Sequence, residues 1–151
     1  MRFTARQDIA AGPSEVFAAL SDFAAFERAA LRRGAEIVRL DRRVEPGPGM
    51  SWQGALPWRG RMRRFVGELK DFRPATALAW QVESGGFRLL LGIGLIPLAA
   101  GRTRISVELE VRPETLPARL KLQAARLQKH KLTDRFRQRV LDFAQGVERR
   151  A

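Results

Sequence analysis

Cysteine and tyrosine are absent from this 151-residue chain, and histidine occurs once, as His130. Without cysteine the chain can form no disulfide, use no thiolate nucleophile and offer no thiolate to a metal. The lack is consistent with a reducing compartment. A single histidine excludes a metal site of several imidazoles, and no glycine-rich loop has phosphate-binding spacing, so we expect neither metal nor cofactor.

Long apolar runs are also missing. The longest, Leu89 to Ala100, is shorter than the ~18 residues of a membrane-spanning helix and contains Gly and Pro. The opening residues, MRFTARQD, are polar at once and contain no apolar signal core, so we expect a cytoplasmic protein. The length and the hydrophobic fraction of 45% indicate one domain over residues 1–151.

The hydrophobic periodicity changes twice along the chain. Alternation predicts a strand over 2–9, and helix-start signals at Pro13 and Asp22 predict two short helices. A period of two then predicts six strands near 35–44, 49–56, 60–72, 76–84, 87–98 and 103–112. From Leu116 onward the pattern is helical, with one apolar face formed by Leu132, Phe136, Val140, Phe143 and Val147. The pattern by itself indicates an antiparallel α+β domain with a terminal helix.

Three stretches carry a resemblance to a known superfamily. They are the strand-to-helix opening from Ile9 to Asp22, the turn Asp71–Pro74 followed by Leu78-Ala79-Trp80, and the strand start Gly101–Ile105. Together with the element order, they resemble the SRPBCC superfamily of START-like, helix-grip proteins, in its polyketide cyclase/dehydrase-like branch. The resemblance implies a curved seven-stranded antiparallel sheet wrapped around a long C-terminal helix, with two short helices after the first strand. It also implies a ligand cavity between sheet and helix, but no shared catalytic residues.

The candidate cavity residues come from the apolar strand faces and the inward stripe of the terminal helix. In strand 60–72 the phase is open: either Phe65 faces the cavity, or Arg64 and Glu68 face it and orient a polar ligand head. The predicted lining is Trp52, Arg64, Phe65, Glu68, Trp80, Phe87, Leu89, Leu91, Ile105, Val107, Leu109 and Leu122.

Two functions follow from such a cavity. One is the binding of a small hydrophobic molecule, such as a lipid, quinone or polyketide. The alternative is a polyketide cyclase/dehydrase-like enzyme that acts on its ligand there. Inward titratable residues are few, which favours binding because acid–base catalysis needs a placed group. A scaffold with a filled core is a third interpretation.

The net charge is +12, and residues 116–150 carry +7 of it. This segment also has an outward apolar stripe of Leu116, Leu120, Ala124 and Leu127. Basic residues beside an apolar stripe fit an anionic membrane surface. An acidic partner and plain solvation are the alternatives. No motif indicates specific nucleic-acid binding, and the oligomeric state stays open.

Overall fold

The computed structural model describes residues 1–150, which form seven strands and four helices. The strands are β1 (Arg2–Ile9), β2 (Glu36–Arg39), β3 (Ser51–Trp58), β4 (Arg61–Arg73), β5 (Ala77–Ser84), β6 (Phe87–Pro97) and β7 (Thr103–Pro113). The helices are α1 (Pro13–Leu20), α2 (Phe23–Arg32), α3 (Leu116–Arg126) and α4 (Lys129–Arg150). The predicted order of elements is therefore confirmed.

All strands belong to one antiparallel sheet with the order β1-β7-β6-β5-β4-β3-β2. The register defines two faces. One face is called the core face. It carries a row of five side chains that lie side by side across five strands: Leu69, Trp80, Leu91, Leu109 and Phe3. The other face is the outer face. Alternate residues of each strand point to the same face, so this register assigns every strand side chain to one of the two.

The two short helices begin as the sequence predicts. Pro13 opens α1, and Asp22 caps α2 by accepting a hydrogen bond from the Ala25 backbone N–H at 3.1 Å. Val16 and Phe17 of α1 and Phe23 of α2 are buried in the core. The two helices thus cover one part of the core face.

The terminal helix differs from the prediction, because it is interrupted. Leu127 and Gln128 donate backbone hydrogen bonds to residues three positions earlier, at 3.3 and 2.9 Å, and this tightened turn separates α3 from α4. No Gly or Pro marks the break in the sequence. Before the break α3 packs on β7, and after it α4 packs mainly along β1.

The predicted apolar face of α4 does point toward the sheet. Val140 and Val147 are buried, whereas Leu132, Phe136 and Phe143 are only half-buried. The ring of Phe136 lies 5.9 Å from that of Phe3 in β1, between centroids. Because α4 lies along this edge strand, its longer apolar side chains are not fully enclosed.

The predicted strand over 35–44 is too long, since β2 ends at Arg39. The Asp41 carboxylate accepts hydrogen bonds from the backbone N–H groups of Arg43 and Ser51, at 2.9 and 2.8 Å, and ends the strand in a turn. In contrast, β3 continues to Trp58, because a two-residue turn at Arg59 and Gly60 leads directly into β4.

Candidate ligand-binding site

A contiguous set of half-buried apolar side chains lies on the core face of β5, β6 and β7. We call it the apolar strip, and it consists of Val82, Phe87, Leu89, Leu109 and Val111. Val82 pairs with Leu89 and Leu89 with Val111, so these three form one row across the sheet. All five lie outside the buried core cluster.

The positions of the helices explain why the strip is not buried. The long helix α4 lies along β1 at the sheet edge, and α3 reaches β7 with Ala118 and Leu122, which are both buried. Neither helix seals the centre of the sheet. On β4 the row of Val82 continues with Gly67. Because glycine has no side chain, it leaves space on the core face beside the strip. The arrangement offers apolar surface to a small molecule between sheet and helices.

An aromatic cluster borders the strip where α2 packs on the sheet. The rings of Trp52 and Trp80 lie 5.3 Å apart, and Phe23 lies 5.6 Å from each of them. Trp52 is buried and Trp80 is half-buried. The Trp52 indole N–H donates to the Glu27 carboxylate at 2.7 Å, and the Arg39 guanidinium lies 5.1 Å from the Trp52 ring. A rigid aromatic wall with polar groups behind it therefore closes one end of the strip.

At the opposite end, toward the β3–β4 turn, Arg63 lies on the core face. Arg63 pairs with Leu56 and is followed on the same face by Phe65 and Gly67. Its Nε atom is buried without a hydrogen-bond partner. Among the ion pairs within residues 1–150, none involves Arg63.

The predicted lining residues separate into two groups by exposure. Four of them are buried and belong to the packed interior: Trp52, Ile105, Val107 and Leu122. Six are half-buried on the core face: Phe65, Trp80, Phe87, Leu89, Leu91 and Leu109. The second group is the one that a ligand on the core face would contact.

Arg64 and Glu68 require a correction, because the structure places both on the outer face. Arg64 pairs with Ala55 and Glu68 with Ser51, whereas Trp52 pairs with Gly67 on the core face. Glu68 forms an ion pair of 2.9 Å with Lys70. The odd-numbered residues of β4 therefore face the core up to Leu69, and the expectation of a core-facing Arg64–Glu68 pair was wrong.

Two open grooves are also present, and the first of them shares Phe87 with the strip. One of about 860 Å³ runs at the end of the sheet that carries the β5–β6 turn, and its lining includes Met62, Arg64, Phe87 and Thr115. The other, of about 830 Å³, lies between β1 and α4 and is half polar, with Gln7 and Arg137 in its lining. His130 is in neither groove: its side chain is 95% exposed, 3.5 Å from Asp134.

Glu27 and Arg63 are residues that the sequence patterns did not single out. Glu27 follows Phe23 by four positions in α2, so the two share a helix face, and this spacing could have identified it. Arg63 could be identified only after the phase of β4 was known. Phe65, Gly67 and Leu69 alternate with Arg64, Val66 and Glu68, so both phases present apolar residues and the alternation does not decide between them.

Within residues 1–150 no group of three or more metal-ligating side chains comes together, and no helix in this range is long and apolar enough to cross a membrane. The pKa of Asp41 lies well below its usual range, because the Arg39 guanidinium and two backbone N–H groups stabilise the carboxylate. This shift belongs to the turn after β2, away from the apolar strip.

A seven-stranded antiparallel sheet, two short helices after β1 and a long C-terminal helix define the helix-grip class of START-like proteins. The chain belongs to the family described as polyketide cyclase / dehydrase and lipid transport, whose model matches residues 1–145. This confirms the resemblance seen in the sequence. No curated protein sequence matches the chain.

Solved structures with the same fold share little sequence with the chain. The protein TTHA0849 from Thermus thermophilus is 17% identical with a TM-score of 0.66, over 99% of this chain and 96% of its own. The Zhui aromatase/cyclase from Streptomyces sp. R1128 is 15% identical with a TM-score of 0.70, over 99% and 94%. A START superfamily protein from Mycobacterium smegmatis is 17% identical with a TM-score of 0.58, over 91% and 97%. At such identities the likeness concerns the fold.

Proposed function

We propose that this protein binds a small apolar molecule on the core face of its sheet. The observation that carries the proposal is the apolar strip, a row of aliphatic and aromatic side chains that the protein's own helices leave half-buried. Removing such surface from water is favourable by about 25 cal/mol per Å². A ligand that covers the strip would gain this free energy without a large rearrangement of the sheet.

The enzyme alternative, suggested by the family description and by the aromatase/cyclase among the similar structures, receives less support from this chain. Acid–base catalysis needs a titratable group within hydrogen-bond reach of the ligand. Arg64 and Glu68 lie on the outer face, and His130 is exposed to solvent. Glu27 accepts the Trp52 N–H behind the aromatic wall. The arrangement therefore favours binding over a reaction.

A dye titration tests the binding proposal. We expect the neutral apolar dye N-phenyl-1-naphthylamine to gain fluorescence on binding and to change the emission of the half-buried Trp80. Leu89→Gln places an amide in the centre of the strip and should weaken dye binding by about tenfold, because a buried leucine contact is lost.

Leu90→Gln is the matched control, because Leu90 is the next residue of β6 and lies on the outer face. It should leave the affinity for the dye unchanged. Equal affinities of the two variants would show that the dye binds elsewhere. Absence of any fluorescence change up to the solubility limit of the dye would overturn the proposal.

We further propose that the protein meets an anionic membrane surface through α3. The stripe along α3 includes Leu116 and Leu120 and continues to Leu127, the residue after the helix; these three are 69%, 59% and 89% exposed. The exposed basic residues Arg119, Lys121 and Arg126 lie between these leucines. A bilayer with anionic lipids matches such a stripe, because its acyl region buries the leucines and its head groups attract the basic residues.

The β3–β4 turn offers a second contact of the same kind. Trp58 is 52% exposed, and Met62 is exposed beside it, with Arg59 and Arg61 between them. Tryptophan and arginine are both favoured at the interface between lipid and water. Met62 and Thr115, the residue before α3, line the same groove, so the turn and the start of α3 lie at one end of the sheet. Contact there would bring the apolar strip close to the source of an apolar ligand.

A further inference from the structure

We propose that Arg63 binds the anionic head group of an amphipathic ligand whose apolar tail lies on the strip. This assignment rests on the proposed function and names the chemical class of its ligand: an alkyl chain that ends in a carboxylate or a phosphate. Arg63 lies on the core face near the end of β4, with Arg61 between it and the turn at Arg59 and Gly60. It therefore lies where a ligand on the strip would meet solvent.

The register places Arg63 in line with the strip. The row of Gly67 and Val82 is followed, toward the turn, by Phe65 and then by Arg63 on the same face of β4. Alternate residues of a strand are about 7 Å apart, so Arg63 lies about 14 Å along β4 from the row of Val82. A medium-length alkyl chain placed on the strip can reach it with its head group.

The charges of the core face leave Arg63 available. None of the seven strands places a carboxylate on this face. Two other strand arginines lie on it: Arg39 is bound by both oxygens of Asp41, and Arg61 is exposed next to the turn. Arg88 also has a buried Nε without a partner, but its guanidinium pairs with Glu114 at 2.9 Å. Arg63 has no such ion pair.

The guanidinium geometry selects the head group. A guanidinium presents its N–H donors in a planar fork that binds the two oxygens of a carboxylate or phosphate together. A buried N–H without a partner is costly, about 1–3 kcal/mol. An anionic head that accepts from the Nε of Arg63 recovers this free energy, whereas a hydroxyl head on the same tail gains less because it carries no charge. Arg63 thus distinguishes anionic from neutral amphiphiles.

The test measures, by isothermal titration calorimetry, the binding of three probes with the same tail: dodecanoate, monododecyl phosphate and 1-dodecanol. The natural protein should bind at least one anion about tenfold more tightly than the alcohol, the value of one charge-assisted hydrogen bond. A preference for dodecanoate would indicate a carboxylate head group, as in a fatty acid, and a preference for monododecyl phosphate would indicate a phosphate. Arg63→Met should abolish the preference, because it should weaken the binding of the anions much more than that of dodecanol. Arg63→Lys should retain part of it, because the charge stays and the fork is lost.

Arg64→Met is the matched control, since it removes the same charge from the neighbouring position on the outer face. It should retain the preference for the anion. Circular dichroism and thermal unfolding establish whether each variant is folded. If Arg63→Met does not fold, the affinities of Arg63→Lys for the anions and the alcohol test the assignment instead. If dodecanol binds but the anions gain nothing, or if Arg63→Met and Arg64→Met behave alike, the assignment to Arg63 is wrong while the proposed function stands. If none of the three probes binds, both are overturned.

Discussion

The indole Nε1 of Trp52 donates a hydrogen bond of 2.7 Å to the Oε1 of Glu27, and this bond joins β3 to α2. Trp52 is 7% exposed, so its N–H has little access to water. A buried donor without an acceptor costs free energy, and Glu27 removes that cost. The bond also orients the ring against Trp80, which borders the apolar strip. A half-buried carboxylate on α2 thus supports the aromatic end of the proposed ligand site.

Replacement of Glu27 should therefore destabilise the protein and loosen the aromatic cluster. We expect Glu27→Ala to lower the free energy of unfolding by about 1–2 kcal/mol, because the Trp52 N–H loses its acceptor. Glu27→Gln keeps an oxygen in place and should cost less. Urea unfolding followed by tryptophan fluorescence measures both. Glu45→Ala, at an exposed loop position, is the control and should change little. Equal stability of Glu27→Ala and the control would contradict this role.

Arg59 occupies a backbone conformation that suits asparagine better. Its φ is 50° and that of Gly60 is 77°, between the paired residues Trp58 and Arg61, as in a two-residue type I′ turn. Arg59→Asn should raise the free energy of unfolding by about 0.5–1 kcal/mol, because asparagine adopts positive φ with less strain. Chemical denaturation measures the change. Unchanged or lower stability would show that Arg59 is not strained.

Asp41 predicts how stability depends on pH. Arg39 and the two N–H donors lower its pKa from the ordinary value of 3.8, so the folded state favours the carboxylate. This contribution is fully present above the unfolded pKa of about 4 and is lost as the pH falls toward the lower pKa of the folded state. Asp41→Asn should be less stable than the natural protein at neutral pH, and the gap should narrow below about pH 4.

Urea unfolding midpoints of Asp41→Asn and of the natural protein, taken across this acidic range, measure how the difference in stability changes with pH. Glu45→Gln serves as the comparison, because among residues 1–150 Glu45 forms no ion pair. Its difference from the natural protein should stay small at every pH. A gap for Asp41→Asn that is constant with pH would show that the carboxylate is not stabilised in the folded state.

The sequence predicts most of the fold because its strands and turns follow local rules. Pro13 and Asp22 mark helix starts, and the glycines of the β5–β6 turn mark a hairpin. The break after Leu127 was not predicted, since the residues around it are all compatible with a helix. The two segments pack on different strands, α3 on β7 and α4 on β1. Such a break depends on tertiary contacts rather than on local preference.

The candidate site was predictable only in part, for a related reason. Trp80 and Leu109 follow from the apolar faces of their strands, whereas Phe87, Leu89 and Leu91 belong to a nearly continuous apolar run in which they can share one face. The phase of β4 does not, because Val66 puts an apolar side chain on the outer face, where it is exposed. If the phase of β4 shifted by one residue, Arg64 instead of Arg63 would lie on the core face. The phase therefore decides which arginine lies in line with the strip. Residues such as Glu27 come from another element and depend on how α2 packs.

Membrane contact through α3 predicts binding to vesicles that depends on charge. We expect the protein to sediment with vesicles that contain phosphatidylglycerol and not with phosphatidylcholine alone, and added salt should weaken the binding. Changing Lys121, Arg126 and Lys129 to Glu should lower the binding constant by about a hundredfold, since each basic residue near the surface contributes about 1 kcal/mol.

The matched control reverses three exposed arginines elsewhere, Arg28, Arg42 and Arg102, and lowers the net charge by the same amount. If the contact is local to α3 and the start of α4, this control should bind far better than the variant of Lys121, Arg126 and Lys129, although less tightly than the natural protein. Leu120→Gln separates the apolar contribution, because it leaves all charges in place while removing an exposed leucine from the stripe. Equal losses in both charge variants would mean that only the net charge attracts the vesicles. Equal binding to neutral and anionic vesicles, or none to either, would rule the contact out and leave the charge of α3 to solvation.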